Sequence, residues 1–415
     1  MTLNTMGRRA VTASIASILS VAMGLGLTAC SNDYTVAYVY ATTTLANPGL
    51  ISGYRVDYQS GQLKLLADSP VPSGGKNPVA IVAGPGDRTL YVVHRDDSSV
   101  VFFAIGTDGK IYAQDTYNVT GSFPTAAAVD AAGKFLYVAF TYQNCPAGSQ
   151  NCKAGEQLYT PANPGPGGIS IFPIAADGSL GAPTTVNVGR NPVGIFANNT
   201  NHIVYVIEQD TAVASNLLGF SADATTGALT PLPGVTINPG NVPSTGFPTG
   251  ATPRGIIEDS TSTHLYVTDQ TANVVTAYSV AANGVPSPLA NGTARTDALP
   301  MGMSFDLTGK YLYVVNYTGG TISGYTLGPN GEPVPSTVAG SVQAGTGPTC
   351  VTVLGAPFDN PTHAVYLYTS NNISNTVSGM QLNPADGSLS QIQNTPFTAS
   401  ALPTCLVSVG AIPPR

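Results

Sequence analysis

The chain has 415 residues, and its 15 basic and 22 acidic side chains give a formal net charge of −7. Charged residues make up only 9% of it, against about 25% in an ordinary soluble domain, while 46 glycines and 33 prolines punctuate the sequence. Because glycine and proline both penalise helix interiors, this composition excludes a mainly helical protein. A hydrophobic fraction of 43% excludes intrinsic disorder, and the lack of a basic surplus excludes a nucleic-acid partner. The composition therefore favours a large all-β protein.

The first 29 residues have the pattern of an export signal. Two arginines precede an apolar stretch, and small residues then lead into Cys30. This resembles the signal of bacterial lipoproteins, in which cleavage before the cysteine leaves its thiol to carry lipid. We expect a lipidated Cys30, a short tether at residues 30–33 and an exported body at residues 34–415, held at the cell envelope and facing the periplasm or the cell surface. An ordinary signal peptide or a single-pass anchor is the alternative.

Export into an oxidising compartment makes the remaining four cysteines candidates for disulfides. Cys145 and Cys152 close a short polar loop, and Cys350 and Cys405 form the other pair. A metal site is the alternative, but the spacing of Cys145 and Cys152 is not a zinc spacing. We therefore predict two disulfides and no metal or cofactor.

A phrase of proline, any residue and a small residue occurs seven times and marks an internal repeat. Its prolines are Pro78, Pro124, Pro192, Pro253, Pro300, Pro348 and Pro403. A second phrase of an apolar residue, tyrosine and valine follows most of them about ten residues later, as in Leu90-Tyr91-Val92. A third apolar phrase and a turn such as Asp108-Gly109 complete the unit, and Asp-Gly suits a tight hairpin because both residues tolerate positive φ. Each unit thus predicts four short antiparallel strands, A to D.

Seven such units predict an all-β fold, a seven-bladed β-propeller of four-stranded antiparallel blades that forms one domain. The phrase at Pro403 has no strands B to D after it, and the first strand B, near Tyr38, has no strand A before it. We therefore expect residues 404–410 to close the ring by pairing with residues 34–42, because free first and last blades would expose sheet edges. The predicted blades span residues 34–77 with 403–410, 78–123, 124–191, 192–252, 253–299, 300–347 and 348–402.

Ring closure supports the second disulfide independently. Cys350 and Cys405 occupy the same strand-A position in neighbouring blades, where the other repeats have alanine or glycine. A bond between them requires Cα atoms within about 7 Å of each other. Two buried free thiols are the alternative.

Three phrases carry a resemblance to a known family. They are His94-Arg95-Asp96-Asp97 with the residues up to 100, Pro253-Arg254-Gly255, and Asn316-Tyr317 with the residues up to 323. They resemble the lactonase family of exported seven-bladed propellers with YVTN-type repeats, which includes propeller-type 6-phosphogluconolactonases, over residues 34–415. The sequence departs from the family phrases at Gly255, where the family has histidine, and at Asp269-Gln270, where it has Asn-Glu. WD-repeat propellers are excluded because the chain has no tryptophan.

The predicted architecture puts the A–B and C–D turns on one face and the B–C loops and D–A connectors on the other. The long insertions, at residues 143–167, 209–215 and 234–252, fall on the second face, where they would carry recognition. Lactone hydrolysis needs a general base and a positive group for the oxyanion. The candidate catalytic residues are Arg254 with Glu208 or Asp269, aided by His94. The candidate ligand-binding residues are Arg95, Asp96, Asp97, Asp210, Asn316 and Tyr317. The alternative is that each of these is a solvated loop charge.

Three of the four histidines, His202, His264 and His363, precede strand B and fall on the opposite face, so a histidine triad or a metal centre is not expected. We predict a ligand-binding or protein-binding module at the cell envelope. Its expected partners are the membrane, through the lipid anchor, and a small anionic ligand or an envelope protein. The alternative function is a hydrolase of a sugar lactone or a similar small anionic ring. An enzyme would gather acidic groups and Arg254 around one pocket, whereas a binding module would show a broad loop-built surface.

Overall fold

In the computed structural model, the strands form seven antiparallel sheets. The structure describes residues 35–145, 165–197, 200–210, 215–238, 243–338, 340–355 and 365–411. The predicted signal peptide, the lipidation site Cys30 and the tether lie outside these residues, as do Cys152 and His363. Within the described ranges, no helix is long and apolar enough to cross a membrane.

The sheets follow one another along the chain, and the last strand completes the first sheet. Blade 1 contains β1 (Thr35–Thr43), β2 (Leu50–Asp57), β3 (Leu63–Leu65), β4 (Val71–Pro72) and the C-terminal β32 (Pro403–Gly410). Blade 2 contains β5 (Pro78–Ala83), β6 (Thr89–His94), β7 (Ser99–Ile105) and β8 (Ile111–Asn118), with a 3-10 turn at Pro85–Asp87. Blade 3 contains β9 (Gly121–Val129), β10 (Phe135–Gln143), β11 (Pro166–Pro173) and β12 (Thr184–Arg190).

The remaining blades repeat the same order. Blade 4 contains β13 (Pro192–Phe196), β14 (Ile203–Glu208), β15 (Asn216–Ala222), β16 (Leu229–Pro231) and β17 (Phe247–Pro248). Blade 5 contains β18 (Pro253–Glu258), β19 (His264–Asp269), β20 (Val274–Val280) and β21 (Pro286–Arg295). Blade 6 contains β22 (Pro300–Phe305), β23 (Tyr311–Asn316), β24 (Thr321–Leu327), β25 (Pro333–Pro335) and β26 (Ser341–Gln343). Blade 7 contains β27 (Pro348–Gly355), β28 (Val365–Asn371), β29 (Thr376–Leu382), β30 (Leu389–Gln391) and β31 (Phe397–Thr398).

The ring closes through the C-terminal strand, which confirms the prediction. β1 pairs with β2 on one side and with β32 on the other, in a register that runs from Ala37 opposite Gly410 to Thr43 opposite Pro403. Blade 1 therefore takes its strand A from the end of the chain. The seven inner strands contact one another in a complete circle, so the first and last blades are joined.

The disulfide at the closure is also confirmed. Cys350 and Cys405 are bonded, with Cα atoms 5.0 Å apart, so the alternative of two free thiols is wrong. The bond joins strand A of blade 7 to strand A of blade 1, across a sequence separation of 55 residues. In the chain-entropy description, a loop of this length is worth about 4 kcal/mol to the folded state. Cys145 is disulfide-bonded as well, and its predicted partner Cys152 lies outside the described residues.

One hydrogen bond recurs at every interface between neighbouring blades. A strand-B tyrosine donates its hydroxyl, at 2.5–3.4 Å, to the carbonyl of a glycine in the C–D turn of the next blade. These glycines all have φ between 66° and 87°, a conformation that other residues adopt only with strain. The pairs are Tyr40–Gly109, Tyr91–Gly178, Tyr137–Gly227, Tyr205–Gly284, Tyr266–Gly331, Tyr313–Gly387 and Tyr368–Gly61.

In blades 1 and 7, which flank the ring closure, the tyrosine that makes this hydrogen bond lies two residues after the tyrosine of the sequence phrase. The sequence phrase selects Tyr38 and Tyr366, but the glycine carbonyls are reached by Tyr40 and Tyr368. Tyr38 and Tyr366 donate to other main-chain carbonyls of the neighbouring blade. Residues two apart in a strand point to the same side, so the strand pattern alone does not separate the two tyrosines.

The apolar core is divided among the blades. The buried apolar side chains of the described residues form seven clusters, and each cluster lies between two neighbouring sheets. In one of them, Tyr137 and Ile171 of blade 3 pack with Val206 and Phe220 of blade 4. The interior is therefore a ring of sheet-to-sheet contacts, which leaves a channel at the centre.

The B–C loops and the D–A connectors lie on one face, which we call the loop face. Strand A begins and strand B ends at this face, as the pairing of Pro78 with His94 and of Pro253 with Asp269 shows. The loop face therefore presents two sets of seven equivalent residues. One set contains the residues that directly follow the strand-A prolines. The other contains the B-strand residues that pair with those prolines.

Candidate ligand site at the mouth of the central channel

The residues that follow the strand-A prolines surround the loop-face mouth of the channel, and we call them the channel ring. They are Val79, Thr125, Val193, Arg254, Met301, Thr349 and Thr404. A cavity of about 460 Å³ runs along the inner strands from this ring, which is within the range of small-molecule sites. The next residue of each strand is alanine, glycine or cysteine, and these short side chains keep the channel open.

Arg254 gives the channel its charge. Among the described residues that line the cavity, it is the one charged side chain. Burial lowers the pKa of its guanidinium from the ordinary value, and no carboxylate of the described residues opposes that shift. A guanidinium nevertheless stays protonated at physiological pH. The mouth therefore holds a positive charge that no described carboxylate balances, which suits the binding of a carboxylate or a phosphate.

Two side-chain amides contact the inner strands of blades 5 and 6. Gln209 donates to the carbonyl of Pro253 at 2.8 Å, and Gln270, the equivalent residue of the next blade, lies 2.8 Å from the sulfur of Met301. Each follows strand B directly and joins its blade to strand A of the next. Neither lines the channel cavity. The sequence signal for these contacts between blades is their common spacing, 17 residues after the strand-A proline of the same blade.

The threonines of the channel ring use their hydroxyls within the protein. Thr125 and Thr404 each donate to the carbonyl of the next blade's strand-A proline, at 2.6 and 2.8 Å. Thr349 shares a hydrogen bond of 2.9 Å with a serine of its own strand B. In the channel ring, the Arg254 guanidinium is the side-chain group that remains available to a ligand.

The B-strand residues that lie opposite the strand-A prolines form a second set, which we call the strand-B ring. They are Thr43, His94, Phe140, Glu208, Asp269, Asn316 and Asn371, and each pairs with the strand-A proline of its blade. All seven are buried, and none of them lines the channel cavity. Five of them lie against the glycine three residues before that proline, at a distance that a Cβ atom would not allow. The predicted partners Glu208, Asp269 and His94 are therefore inside their blades, whereas Arg254 faces the channel.

Glu208 differs from the other members of the strand-B ring. Its Oε1 accepts a hydrogen bond from Asn216 at 2.7 Å, whereas Oε2 is buried with no hydrogen-bond partner among the described residues. A Cβ on Gly189 would lie 1.2 Å from Oε2. Burial raises the pKa of Glu208 to about 7, Asn216 and Arg190 oppose the rise, and Asp210 adds to it. Asp210 itself pairs with Arg190 at 3.4 Å. Glu208 is thus close to half-protonated at neutral pH.

His94 and Asp269 have structural partners. His94 Nε2 lies 2.9 Å from the hydroxyl of Ser73, and burial lowers the pKa of His94 to about 4, so its ring is neutral at pH 7. Asp269 Oδ1 accepts hydrogen bonds from the main-chain N–H groups of Thr271 and Ala272, at 2.8 and 3.0 Å. This is the local bonding by which aspartate stabilises a turn. Both residues hold their loops in place.

The other predicted ligand-binding residues are engaged within the loop face. Asn316 is buried and donates to two hydroxyls of strand C, at 3.0 and 2.9 Å. Arg95 pairs with Asp96 at 2.9 Å, and Asp97 accepts a main-chain N–H at 2.7 Å. The hydroxyl of Tyr317 lies 3.5 Å from an asparagine of blade 7. None of the five lines the channel cavity.

The chemistry that this geometry supports is recognition of an anion. No carboxylate, imidazole or free thiol of the described residues lines the channel together with Arg254. In the same part of the chain, no cluster of three or more histidine, cysteine, aspartate or glutamate side chains is arranged for a metal ion. Glu208 has the pKa of a general base at neutral pH, but it is covered by the end of β12 at Gly189.

Comparisons with known proteins agree with the architecture. The sequence matches the family described as "Lactonase, 7-bladed beta-propeller" over residues 35–145 and 243–352. The 6-phosphogluconolactonase of Yersinia pestis (strain Pestoides F) is 38% identical over 86 residues. That match covers 21% of this chain and 25% of the relative, so the chain matches a quarter of the length of such curated relatives.

Solved structures share the fold at low sequence identity. A putative 6-phosphogluconolactonase from Bacteroides uniformis ATCC 8492 superposes with a TM-score of 0.68 at 18% identity, over 91% of this chain and all of that one. A periplasmic gluconolactonase of Pseudomonas aeruginosa superposes with a TM-score of 0.68 at 16% identity, over 91% of this chain and all of that one. The likeness to these structures is one of fold. Because the family match extends over more than half of the chain, this protein belongs to the lactonase family of seven-bladed β-propellers.

Proposed function

We propose that this protein binds a small anion at the loop-face mouth of its central channel, with Arg254 as the principal contact. The observation that supports the proposal is the uncompensated charge of Arg254 in a cavity whose other lining side chains are uncharged. A guanidinium holds a carboxylate or a phosphate through two parallel N–H···O bonds, which are stronger than hydrogen bonds between neutral groups. The protein would act as a binding module, because the channel lining of the described residues holds no base or nucleophile.

Titration calorimetry of the full chain tests this proposal, with gluconate, octanoate and inorganic phosphate as separate probes. We expect at least one probe to bind, and Arg254→Gln to weaken that binding at least tenfold, because a charge-assisted hydrogen bond is worth about 1.5–3 kcal/mol. Arg95→Gln is the matched control, since it removes an equal charge from the loop face away from the cavity lining. The proposal is wrong if Arg254→Gln binds as tightly as the wild type, or if no probe binds.

A second function, hydrolysis of a lactone, is favoured by Glu208. A carboxyl with a pKa of about 7 is matched to general-base work at neutral pH. In this reaction a water molecule attacks the lactone carbonyl while Glu208 takes a proton from the water. The ring C–O bond of the tetrahedral intermediate then breaks, and Glu208 returns the proton to the leaving oxygen. Arg254 would stabilise the oxyanion. The end of β12 at Gly189 must first uncover Oε2, and this is why we rank hydrolysis below binding.

Hydrolysis is tested with glucono-δ-lactone. If Glu208 is the base, the rate rises with pH to a plateau above about 7, and Glu208→Gln removes the rise. Glu208→Gln preserves the shape of the side chain, so a folded protein with a lost pH profile identifies the base. An unchanged rate in Glu208→Gln excludes it.

We also propose that the protein acts at the cell envelope, held in the membrane through lipid on Cys30. The support is the export pattern of residues 1–29 and the cysteine that follows it. Metabolic labelling with a radioactive fatty acid should mark the wild type and leave Cys30→Ser unlabelled. Labelling of Cys30→Ser, or none in the wild type, would contradict the proposal.

A further inference from the structure

We propose that the anion bound at Arg254 is amphipathic, with a single carboxylate at the mouth and an apolar body, such as a medium-length acyl chain, inside the channel. The inference rests on the proposed binding function and names the class of ligand. A polyhydroxylated or phosphorylated sugar acid is the class that it argues against. The first ground is the composition of the channel wall, and the second is that the described lining carries one charge, at Arg254.

The side chains behind the channel ring are small or apolar. The small ones are Ala80, Ala126, Gly194, Gly255, Gly302, Cys350 and Cys405. The residues one position further along each inner strand are Ile81, Ala127, Ile195, Ile256, Met303, Val351 and Leu406. Both cysteines are joined in the disulfide, so neither carries a thiol. The wall beyond Arg254 therefore offers no side chain that would hold the hydroxyl groups or the second charge of a sugar phosphate.

The polar groups near the mouth do not change this conclusion. The hydroxyls of Thr125 and Thr404 are already bonded to proline carbonyls. The inner edges of the strands add main-chain N–H and C=O groups, which can bind hydroxyls but supply no second positive charge for a phosphorylated ligand. One positive charge at the end of the cavity thus matches one negative charge at the end of the ligand.

Three large apolar side chains are exposed on the loop face. Leu45 and Ile373 lie in B–C loops and Phe123 near the start of β9, and they are 68%, 52% and 38% exposed. In the channel ring, the neighbours of Arg254 are Val193 and Met301. An acyl chain anchored at Arg254 would meet apolar side chains inside the channel.

Burial of the ligand body gives the proposal a measurable scale. Each methylene group that is fully removed from water strengthens binding by about fourfold. A cavity of about 460 Å³ is large enough for a carboxylate with a medium-length acyl chain. In a series of butyrate, hexanoate and octanoate, affinity should therefore rise with chain length, and octanoate should bind at least tenfold more tightly than butyrate or gluconate.

Calorimetry of the full chain with these probes tests the inference on the wild type and three variants. Arg254→Gln should weaken the binding of every anion. Met303→Gln, inside the channel, should weaken octanoate at least threefold and leave butyrate within twofold. Leu307→Gln is the control, because it changes an apolar side chain that is exposed in a turn of the opposite face. It should change neither affinity.

The outcomes separate this inference from the function on which it rests. If gluconate binds through Arg254 as tightly as octanoate, or more tightly, the anion site stands and the amphipathic ligand is wrong. If octanoate binds Arg254→Gln as well as the wild type, its binding is apolar adsorption and the inference is also wrong. If no anion binds the wild type, the proposed function and the inference fail together.

Discussion

Two rings of seven equivalent residues lie next to each other on the loop face, but they have different roles. The channel ring follows the strand-A prolines and surrounds an open cavity. The strand-B ring lies one strand further out, and its side chains are buried against the D–A connectors. Polar residues occur in both rings. Those of the strand-B ring are held by partners in their own blade, whereas Arg254 in the channel ring has its charge uncompensated.

The distance of a residue from the propeller axis, more than the face on which it lies, decides whether its side chain meets a ligand. Neighbouring strands are about 4.8 Å apart, so a single step from strand A to strand B moves a side chain from the channel wall into the sheet. Changes in the strand-B ring should therefore alter stability. Changes at Arg254 should alter binding.

The largest effect should come from filling the space that Glu208 occupies. In Gly189→Ala the new Cβ would lie 1.2 Å from Glu208 Oε2, so either the carboxylate or the end of β12 must move. Overpacking of this kind costs about 1–3 kcal/mol, and denaturant titration should show that loss in the free energy of unfolding. Gly181→Ala is the matched control, because its Cβ would meet Pro173 atoms at an ordinary 3.5 Å. Equal stability of the two variants would contradict the assigned packing.

Glu208 should make the protein less stable as the pH rises. Its pKa is about 7 in the folded protein against an ordinary 4.5. Between these values the unfolded chain releases the proton first, which favours unfolding by about 1.4 kcal/mol per pH unit, or about 3 kcal/mol in total. Glu208→Gln should lose this dependence, which denaturant titrations at pH 4.5 and pH 8 would measure. If the wild type and Glu208→Gln change by the same amount, Glu208 is not the group responsible.

His94, at the equivalent position of blade 2, should have the opposite dependence. Its pKa is about 4 in the folded protein against an ordinary 6.5. As the pH falls below 6.5 the unfolded chain takes up the proton first, so the contribution of His94 to the free energy of unfolding should fall by about 2 kcal/mol between about pH 6.5 and pH 5. Glu208 acts in the opposite direction over the same range, so the measurement is the difference between the wild type and His94→Gln at the two pH values. An equal change in both proteins would contradict the neutral, buried state of His94.

The smallest effect on stability should belong to Arg254. Because its side chain has no ion-pair or hydrogen-bond partner among the described residues, Arg254→Gln should lower the free energy of unfolding by less than about 0.5 kcal/mol, and loss of the desolvated charge should act in the stabilising direction. The same variant should lose anion binding. A large loss of stability would mean that Arg254 is a structural residue, and the comparison between the rings would fail.

The repeated features of the fold could be predicted from the sequence because each occurs seven times. The proline phrase gave the inner strands, the incomplete first and last units gave the closure, and Cys350 and Cys405 at one repeat position gave the disulfide. Which tyrosine of blades 1 and 7 reaches the glycine carbonyl could not be predicted, since a strand pattern with period two is unchanged by a shift of two residues. Arg254 was placed at the mouth because the second residue of strand A can only lie there.

The grouping of Glu208, Asp269 and His94 with Arg254 could not be settled in the same way. All four lie at the loop face, and the sequence shows the face of a residue more readily than its distance from the axis. The burial of the strand-B side chains has a sequence signal of its own. In five blades a glycine such as Gly189 or Gly250 lies three residues before the strand-A proline, and each leaves room for a buried strand-B side chain.

The most direct test of the account is to locate a bound anion by diffraction. Crystals soaked in 8-bromooctanoate would show the bromine by its anomalous signal and the carboxylate by its density. We predict a carboxylate oxygen about 2.8 Å from the Arg254 guanidinium, with the bromine inside the channel. A carboxylate bound at another cation of the loop face, such as Arg95 or Arg190, with the channel free of bromine, would contradict the central claim.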